Sequence, residues 1–302
     1  MCVKHYGKLG NTMSTLTQSY LVGLIGDGVL PSLTPPMHER EADAQALRYL
    51  YRPIDLTALR RDAQAVGELL QSGADLGFNA FNITHPCKQV VLDFLDEVSD
   101  NATAIGAVNT VIIKDGKFYG YNTDASGFGW ALAGGLPNAK LDRVLQLGAG
   151  GAGAAVAFAL LADGVKELII SDPEAVRASE RVTELKAHFP QAAITAIRPE
   201  DASAALAEAD GLLNASPIGM HHHPGLPIDI SNLTAEHWVA DCVYRPVDTA
   251  LITAARELGC QVLDGGNMAV GQALDAFGII TGLTPNAGRM HAHLLEMLEA
   301  GF

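Results

Sequence analysis

Short apolar runs rich in β-branched residues alternate along the chain with longer stretches whose apolar positions recur every three to four residues. The runs 21–26, 48–56, 78–84, 143–147, 167–171, 192–197, 211–215, 238–243 and 261–264 predict strands. Between them, 58–72 reads as a helix stopped at Gly73, and 87–98 has the same helical spacing. Segments 173–188, 247–258 and 285–299 open at or near a proline. That suits a helix's first turn, where an N–H would have no partner. This alternation predicts an α/β fold with parallel sheets covered on both faces.

One stretch breaks the alternation. Residues 108–121 are two strand-like runs around Asp115-Gly116, a hairpin signal that suggests the edge of a first sheet. A domain boundary then falls near 124–125, and a second near 265, where Asp264-Gly265-Gly266 ends the last strand. The expected division is a first domain over 1–124, with closing helices in 266–302 that must find a surface to pack on. The second domain covers 125–265.

Composition agrees and excludes several classes. A chain of 302 residues suits two domains of about 150 residues each. The net charge of −14 removes the electrostatic footprint of a nucleic-acid binder and would be repelled by an anionic membrane surface. No apolar run reaches the ~18 residues of a spanning helix. Cys2, Cys87, Cys242 and Cys260 form no C-x-x-C pair, so neither a disulfide framework nor a zinc site is indicated, and reduced thiols in a cytoplasm are expected. The first 18 residues lack an apolar signal core. Met13 is an alternative start, with a loose tail before it. His221-His222-His223 cannot all face one ion in regular structure, so no metal is expected. Cys87 has no dedicated base.

The most specific local signal is Gly148-Ala149-Gly150-Gly151-Ala152-Gly153. Gly148, Gly150 and Gly153 fit G-x-G-x-x-G, immediately after a strand and opening a helix. Gly148 permits the tight turn, Gly150 a close approach of backbone to a pyrophosphate, and Gly153 close helix–strand packing. The helix N-terminus then favours the anion. Asp172 ends the next strand, 19 residues after Gly153, where a carboxylate can accept bonds from an adenine ribose diol. Arg177 is expected to be a solvated helix residue.

Three further clusters fall just past strands of the first half: Ser32-Leu33-Thr34, Asn82-Ile83-Thr84-His85-Pro86-Cys87-Lys88, and Gly106-Ala107-Val108-Asn109-Thr110 with Asn122-Thr123-Asp124. Their hydroxyls and amides both donate and accept, which suits a small polyhydroxylated ligand. His85 and His38 read as packing or ligand-contact residues, and Arg245 as a candidate partner for an anion.

The motifs N-I-T-x-P-x-K, G-A-V-N-T, N-T-D-x-x-G-F and G-A-G-G-A, in that order, with Asn214-Ala215-Ser216-Pro217-Ile218-Gly219-Met220 and Gln272, resemble the shikimate/quinate dehydrogenases from about Leu21 to Leu298. The resemblance implies an N-terminal substrate domain with a mainly parallel sheet, which the closing helices in 266–302 complete, a Rossmann-type dinucleotide-binding domain, and an active site in the cleft between them. It implies that Lys88 and Asp124 are the catalytic pair. Ser32, Thr34, Asn82, Thr84, Asn109, Tyr244 and Gln272 would contact substrate. Asn214 and Ser216 would lie with the cofactor, and Gly265 on its nicotinamide side. The chemistry agrees: reduction of a ketone places negative charge on oxygen, and an ammonium at hydrogen-bond distance stabilises that charge and delivers the proton.

Two departures from the family pattern matter. The approach Gly26-Asp27-Gly28-Val29-Leu30-Pro31, with Thr34 in place of a second serine, argues against plain shikimate specificity. Ser171-Asp172-Pro173 replaces the Asn-Arg-Thr stretch of NADP-using members. The expectation is an NAD-dependent enzyme acting on quinate, shikimate or both, with a homodimer left open. An NADP-preferring biosynthetic shikimate dehydrogenase and a catalytically silent ligand sensor are the alternatives.

Overall fold

The computed structural model describes residues 19–301; Cys2, Met13 and the reading of the amino terminus lie outside them. The first sheet contains β1 (Ser19–Gly26), β2 (Arg48–Asp55), β3 (Ala80–Ile83), β4 (Glu97–Val98), β5 (Thr110–Lys114) and β6 (Lys117–Tyr121). Their order is β2-β1-β3-β5-β6-β4. Three pairings are parallel and two, around the hairpin, antiparallel. Asp115 and Gly116 both take left-handed φ values, 54° and 74°, as a two-residue turn matched to strand twist requires.

The second sheet contains β7 (Arg143–Leu147), β8 (Glu167–Ser171), β9 (Ala193–Ile197), β10 (Gly211–Asn214), β11 (Trp238–Asp241) and β12 (Gln261–Leu263). Every pairing is parallel, in the order β12-β11-β10-β7-β8-β9. Counted from β7, this is the doubly wound 3-2-1-4-5-6 order, whose ligand crevice lies where the order reverses, between β7 and β10. The two-domain α/β architecture with mainly parallel sheets is therefore present.

Several expected elements differ. The 58–72 helix is broken: Leu56–Leu59 ends in left-handed Arg60 (φ 55°), a 3₁₀ turn spans Ala63–Ala65, and a helix runs Val66–Asp75. Asp55 and Asp62 cap the first two pieces through their side chains, so the sequence holds two starts rather than one. Gly73 does not stop the last piece; it lies under the Phe81 ring, whose Cζ would stand 2.2 Å from an added Cβ. The 87–98 helix stops at Val90, and a 3₁₀ turn covers Val91–Phe94. The chain then pairs with β6, where Asp96 exchanges bonds with Phe118. That short pairing also makes β4, rather than the hairpin, the outermost strand.

The helices Gly265–Thr281 and Ala287–Glu299 bury Val270, Ala273, Met290, Leu294 and Met297 against Leu33 and Met37, at the start of the helix Thr34–Ala44. Glu41, 1% exposed, ties them down through Arg289, with Nε at 2.6 Å and Nη2 at 2.7 Å. The helix Asp124–Gly135 leads from the first sheet to the second and crosses Gly265–Thr281 where Gly127 meets Gly271. An added Cβ on Gly127 would lie 2.3 Å from the Gln272 backbone nitrogen. This contact places Gln272 close to the helix that Asp124 begins.

Candidate active site

Lys88 is the second residue of the short helix Cys87–Val90, and Asp124 the first residue of Asp124–Gly135. Lys88 Nζ donates to Asp124 Oδ2 at 2.5 Å, with side-chain exposures of 17% and 8%. The lysine stem lies along the glycine-rich turn: a Cβ on Gly151 would stand 3.6 Å from Lys88 Cδ. The ammonium–carboxylate pair of one domain thus abuts the glycine-rich turn of the other.

Behind the pair lies a buried set of amides and hydroxyls. Asn109 Nδ2 donates to Thr123 Oγ1 at 2.9 Å, and its Oδ1 accepts from the Thr123 N–H at 2.9 Å. Asn82 Nδ2 donates to Thr110 Oγ1 at 2.9 Å. Thr84 follows β3, and its backbone N–H donates to Ile25. His38 is fully buried against Tyr49 and Tyr51, and burial lowers its imidazole to about 3, which makes it a packing residue.

The loop from Gly26 to Ser32 is shaped by Asp55. This carboxylate accepts from the backbone N–H groups of Gly28 at 3.1 Å and Leu30 at 3.3 Å, and also caps Thr57 and Ala58. Burial would raise its pKa, but these four donors hold it below the ordinary carboxylate value. Ser32 Oγ accepts from the Thr34 N–H at 3.3 Å, and its side chain lies near Tyr244 of the opposite domain. Arg245 donates to the Pro31 carbonyl, so its guanidinium joins the two sides of the cleft. Thr34 begins a helix whose next residues, Pro35 and Pro36, have no N–H. The first turn therefore lacks two backbone donors, and the Ser32 and Thr34 hydroxyls and the Arg245 guanidinium are the donors at hand for an anion. Gln272 Nε2 donates to Ala269 O at 3.0 Å.

On the other wall, Gly148 has φ +98°, and its N–H donates to Ser171 O. Gly150 is the cap of the helix Gly151–Ala162, and Ala152 lies in its first turn; no side chain caps the end. A Cβ on Gly153 would meet Gly148 O at 2.3 Å, and one on Gly148 would meet Ala215 O at 2.7 Å. Gln146, absent from the expected site, fixes the turn from beneath by donating to Gly148 O and Gly153 O, each at 2.8 Å. The open helix end, the missing Cβ atoms and the position at the reversal of strand order fit a dinucleotide pyrophosphate.

Asp172 is 3% exposed and already engaged. It accepts from the N–H groups of Ala149 and Glu174, each at 2.8 Å, and from Arg177 Nη1 at 3.2 Å. Arg177 is therefore not merely a solvated residue; one turn into its helix, it pairs with Asp172 and Glu174. Asn214 Oδ1 accepts from Ser216 Oγ at 2.6 Å, and its Nδ2 donates to Asp241 Oδ1 at 2.9 Å. Asp241, a residue missed in the sequence although it is an acid closing a buried strand, also accepts from Thr249 at 2.8 Å; burial pushes its carboxyl up to about 6. Gly265 lies against the backbone of Val243, 2.4 Å from an added Cβ and next to Tyr244. Among the described residues no group of three or more His, Cys, Asp or Glu could hold a metal ion, and no helix is long and apolar enough to cross a membrane.

A doubly wound sheet with a glycine-rich turn, facing a lysine–aspartate pair on a second α/β domain, defines a two-domain oxidoreductase architecture. Residues 24–111 match the shikimate dehydrogenase substrate binding domain. A shikimate dehydrogenase (NADP(+)) of Arthrobacter sp. (strain FB24) is 60% identical over 95% of this chain and 98% of its own. A quinate/shikimate dehydrogenase (NAD(+)) of Corynebacterium glutamicum (strain R) is 48% identical over 93% of this chain and 100% of its own. The quinate dehydrogenase from Corynebacterium glutamicum, solved in complex with NAD, superposes with a TM-score of 0.87 at 48% identity, covering 92% of this chain and 99% of that one. The chain belongs to the shikimate/quinate dehydrogenase family.

Proposed function

We propose that the protein is an NAD-dependent dehydrogenase that interconverts quinate with 3-dehydroquinate and shikimate with 3-dehydroshikimate in the cytoplasm. The observation that carries this reading is the Lys88–Asp124 pair set directly against Gly151 of the dinucleotide turn. A nicotinamide held at this wall would supply the hydride acceptor for oxidation of the carbinol carbon. Lys88, as the neutral amine, takes the hydroxyl proton during oxidation, and as the ammonium returns it to the ketone oxygen in reverse. Asp124 orients the amine and accepts from it. Asn82, Thr84, Asn109 and Gln272 line the ring hydroxyls, and the hydroxyls of Ser32, Thr34 and Tyr244 recognise the carboxylate. Thr34 keeps a donor, while its β-branch narrows the rotamers beside the ring.

Residues 148–153 hold the pyrophosphate, with Asn214, Ser216 and Gly265 at the nicotinamide end. The Asp172 carboxylate, buried and paired with Arg177, stands at the strand end beside the adenine-ribose position, where its charge disfavours a 2′-phosphate. A second reading, NADP preference, is favoured by two observations: Arg177 lies on Asp172 and brings a cation to the same place, and the relative at 60% identity is named for NADP(+).

The substrate reading is tested by following reduced-nicotinamide absorbance with NAD and either quinate or shikimate. Both acids should be oxidised. Robust shikimate oxidation with no detectable quinate oxidation would defeat it.

A further inference from the structure

Strand β2 places two buried tyrosines on one face, Tyr49 at 7% exposure and Tyr51 at 3%. Their hydroxyls go to different places. Tyr49 Oη meets His38 Nδ1 at 3.1 Å, inside an aromatic cluster with Phe277. Tyr51 instead donates to Asn82 Oδ1.

The other end of the Asn82 amide shows which atom is Nδ2 and supplies a second anchor. One hydrogen faces the backbone carbonyl of Asn109 at 3.3 Å, and a carbonyl can only accept, so Nδ2 must stand there. The second goes to Thr110 Oγ1 at 2.9 Å. Thr110 donates onward to Asn109 Oδ1 at 3.0 Å, and Asn109 Nδ2 to Thr123 Oγ1 at 2.9 Å. Thr123 immediately precedes Asp124. The exposures are 4% for Asn82, 0% for Thr110, 3% for Asn109 and 0% for Thr123. The path from Tyr51 to Thr123 runs donor to acceptor, so each bond polarises the next, and the Thr123 N–H returns a bond to Asn109 Oδ1 at 2.9 Å; Tyr51 is the first donor of the path.

We propose that Tyr51 is a positioning residue for substrate binding. Its hydroxyl locks the Asn82 amide with both hydrogens committed inside the protein, so Asn82 presents only an acceptor lone pair to the cleft. The inference rests on the reading of Asn82 as a lining residue of the substrate site. A substrate hydroxyl at this point must donate. Without the tyrosine hydroxyl, Oδ1 loses its buried partner and the amide is held through Nδ2 alone, by the Asn109 carbonyl at 3.3 Å and Thr110 at 2.9 Å, so its position loosens.

The test compares Tyr51→Phe with Tyr49→Phe. Each removes one buried hydroxyl from the same strand and keeps the ring, but only the first touches Asn82. Tyr51→Phe should raise KM for the acid substrate roughly 3–10-fold, the size of one displaced hydrogen bond. Its kcat and KM for NAD should stay within about twofold, and Tyr49→Phe should leave all three parameters in place. An unchanged substrate KM in Tyr51→Phe, or an equal rise in Tyr49→Phe, overturns the proposal. A second readout needs no turnover. The Asn82 side-chain amide protons should be protected from solvent exchange in wild type and Tyr49→Phe, and lose protection in Tyr51→Phe. Equal protection in all three overturns the proposal even if the wild type oxidises neither acid, an outcome that by itself would count only against the functional reading.

Discussion

On the substrate-domain wall, Asn82, Thr110, Asn109 and Thr123 engage one another's donors and acceptors, and a Lys88–Asp124 pair projects from that network. On the facing wall, Gly148, Gly150 and Gly153 contribute backbone and the absence of side chains. The first region works through the identity of functional groups and the second through shape. Substitutions should therefore fail differently. Removing an atom on the first wall changes chemistry or substrate affinity, whereas adding an atom on the second changes cofactor affinity.

The largest expected effect breaks the first wall. Lys88→Ala should lower kcat by about 10²–10⁴, the range for a positioned acid or base, with NAD affinity by calorimetry nearly unchanged. Asp124→Ala added to it should cost little more, because the two act as one unit. A Lys88→Ala enzyme that keeps most of its kcat would remove the lysine from the mechanism.

Next comes the second wall. In Gly153→Ala the new methyl meets Gly148 O at 2.3 Å and Gly148 C at 2.9 Å, both backbone atoms that cannot move aside cheaply. The turn should open at about 1–3 kcal/mol of overpacking. KM for NAD should rise while KM for the acid holds; a substituted enzyme with wild-type KM for NAD would count against the shape argument.

The smallest effect probes Asp241, which binds Asn214 and Thr249 as a buried carboxylate. Its folded pKa of about 6 lies above the ordinary 3.8 because of burial. The unfolded chain therefore ionises first as pH rises, and the folded state is penalised increasingly from about pH 4 to 6 and constantly above. Asp241→Asn removes that penalty. Asn keeps only one acceptor oxygen, a pH-independent loss, so the signal is the change with pH: relative to wild type, the variant should gain about 1–2 kcal/mol between pH 4 and pH 8. A gap in Tm independent of pH would show that burial does not charge Asp241 this way.

What could be read from the sequence follows the same division. The glycine turn and the strands flanking it are legible because backbone shape is written in residue type: only glycine suits φ +98° at position 148 and the 2.3 Å approach at 153. The Lys88 and Asp124 motifs are legible as chemistry-bearing clusters at strand ends. The network behind them is not, since the Tyr51–Asn82 contact joins residues 31 apart through the pairing of separate strands. The helix Thr34–Ala44 hides behind two prolines and the buried polar residues His38 and Glu41, which blur its apolar face. The break at Arg60–Asp62 is visible in hindsight from Asp55 and Asp62, each capping its own start. Arg177 reads as a surface residue because nothing local reveals that Asp172 turns back under the glycine loop to meet Ala149.

Cofactor choice decides between Asp172 and Arg177 on the shape-built wall, and it is measured by kcat/KM for NAD and for NADP with the same acid. Two unit charges 4 Å apart at an effective dielectric of 20 interact by about 4 kcal/mol before screening and relaxation. Screening, and the Arg177 cation that already pairs with Asp172, cut this to ~2–3 kcal/mol, or roughly 30–150-fold. The expected result is a preference for NAD of that size. Equal values, or a preference for NADP, would contradict the assignment and give the site to Arg177.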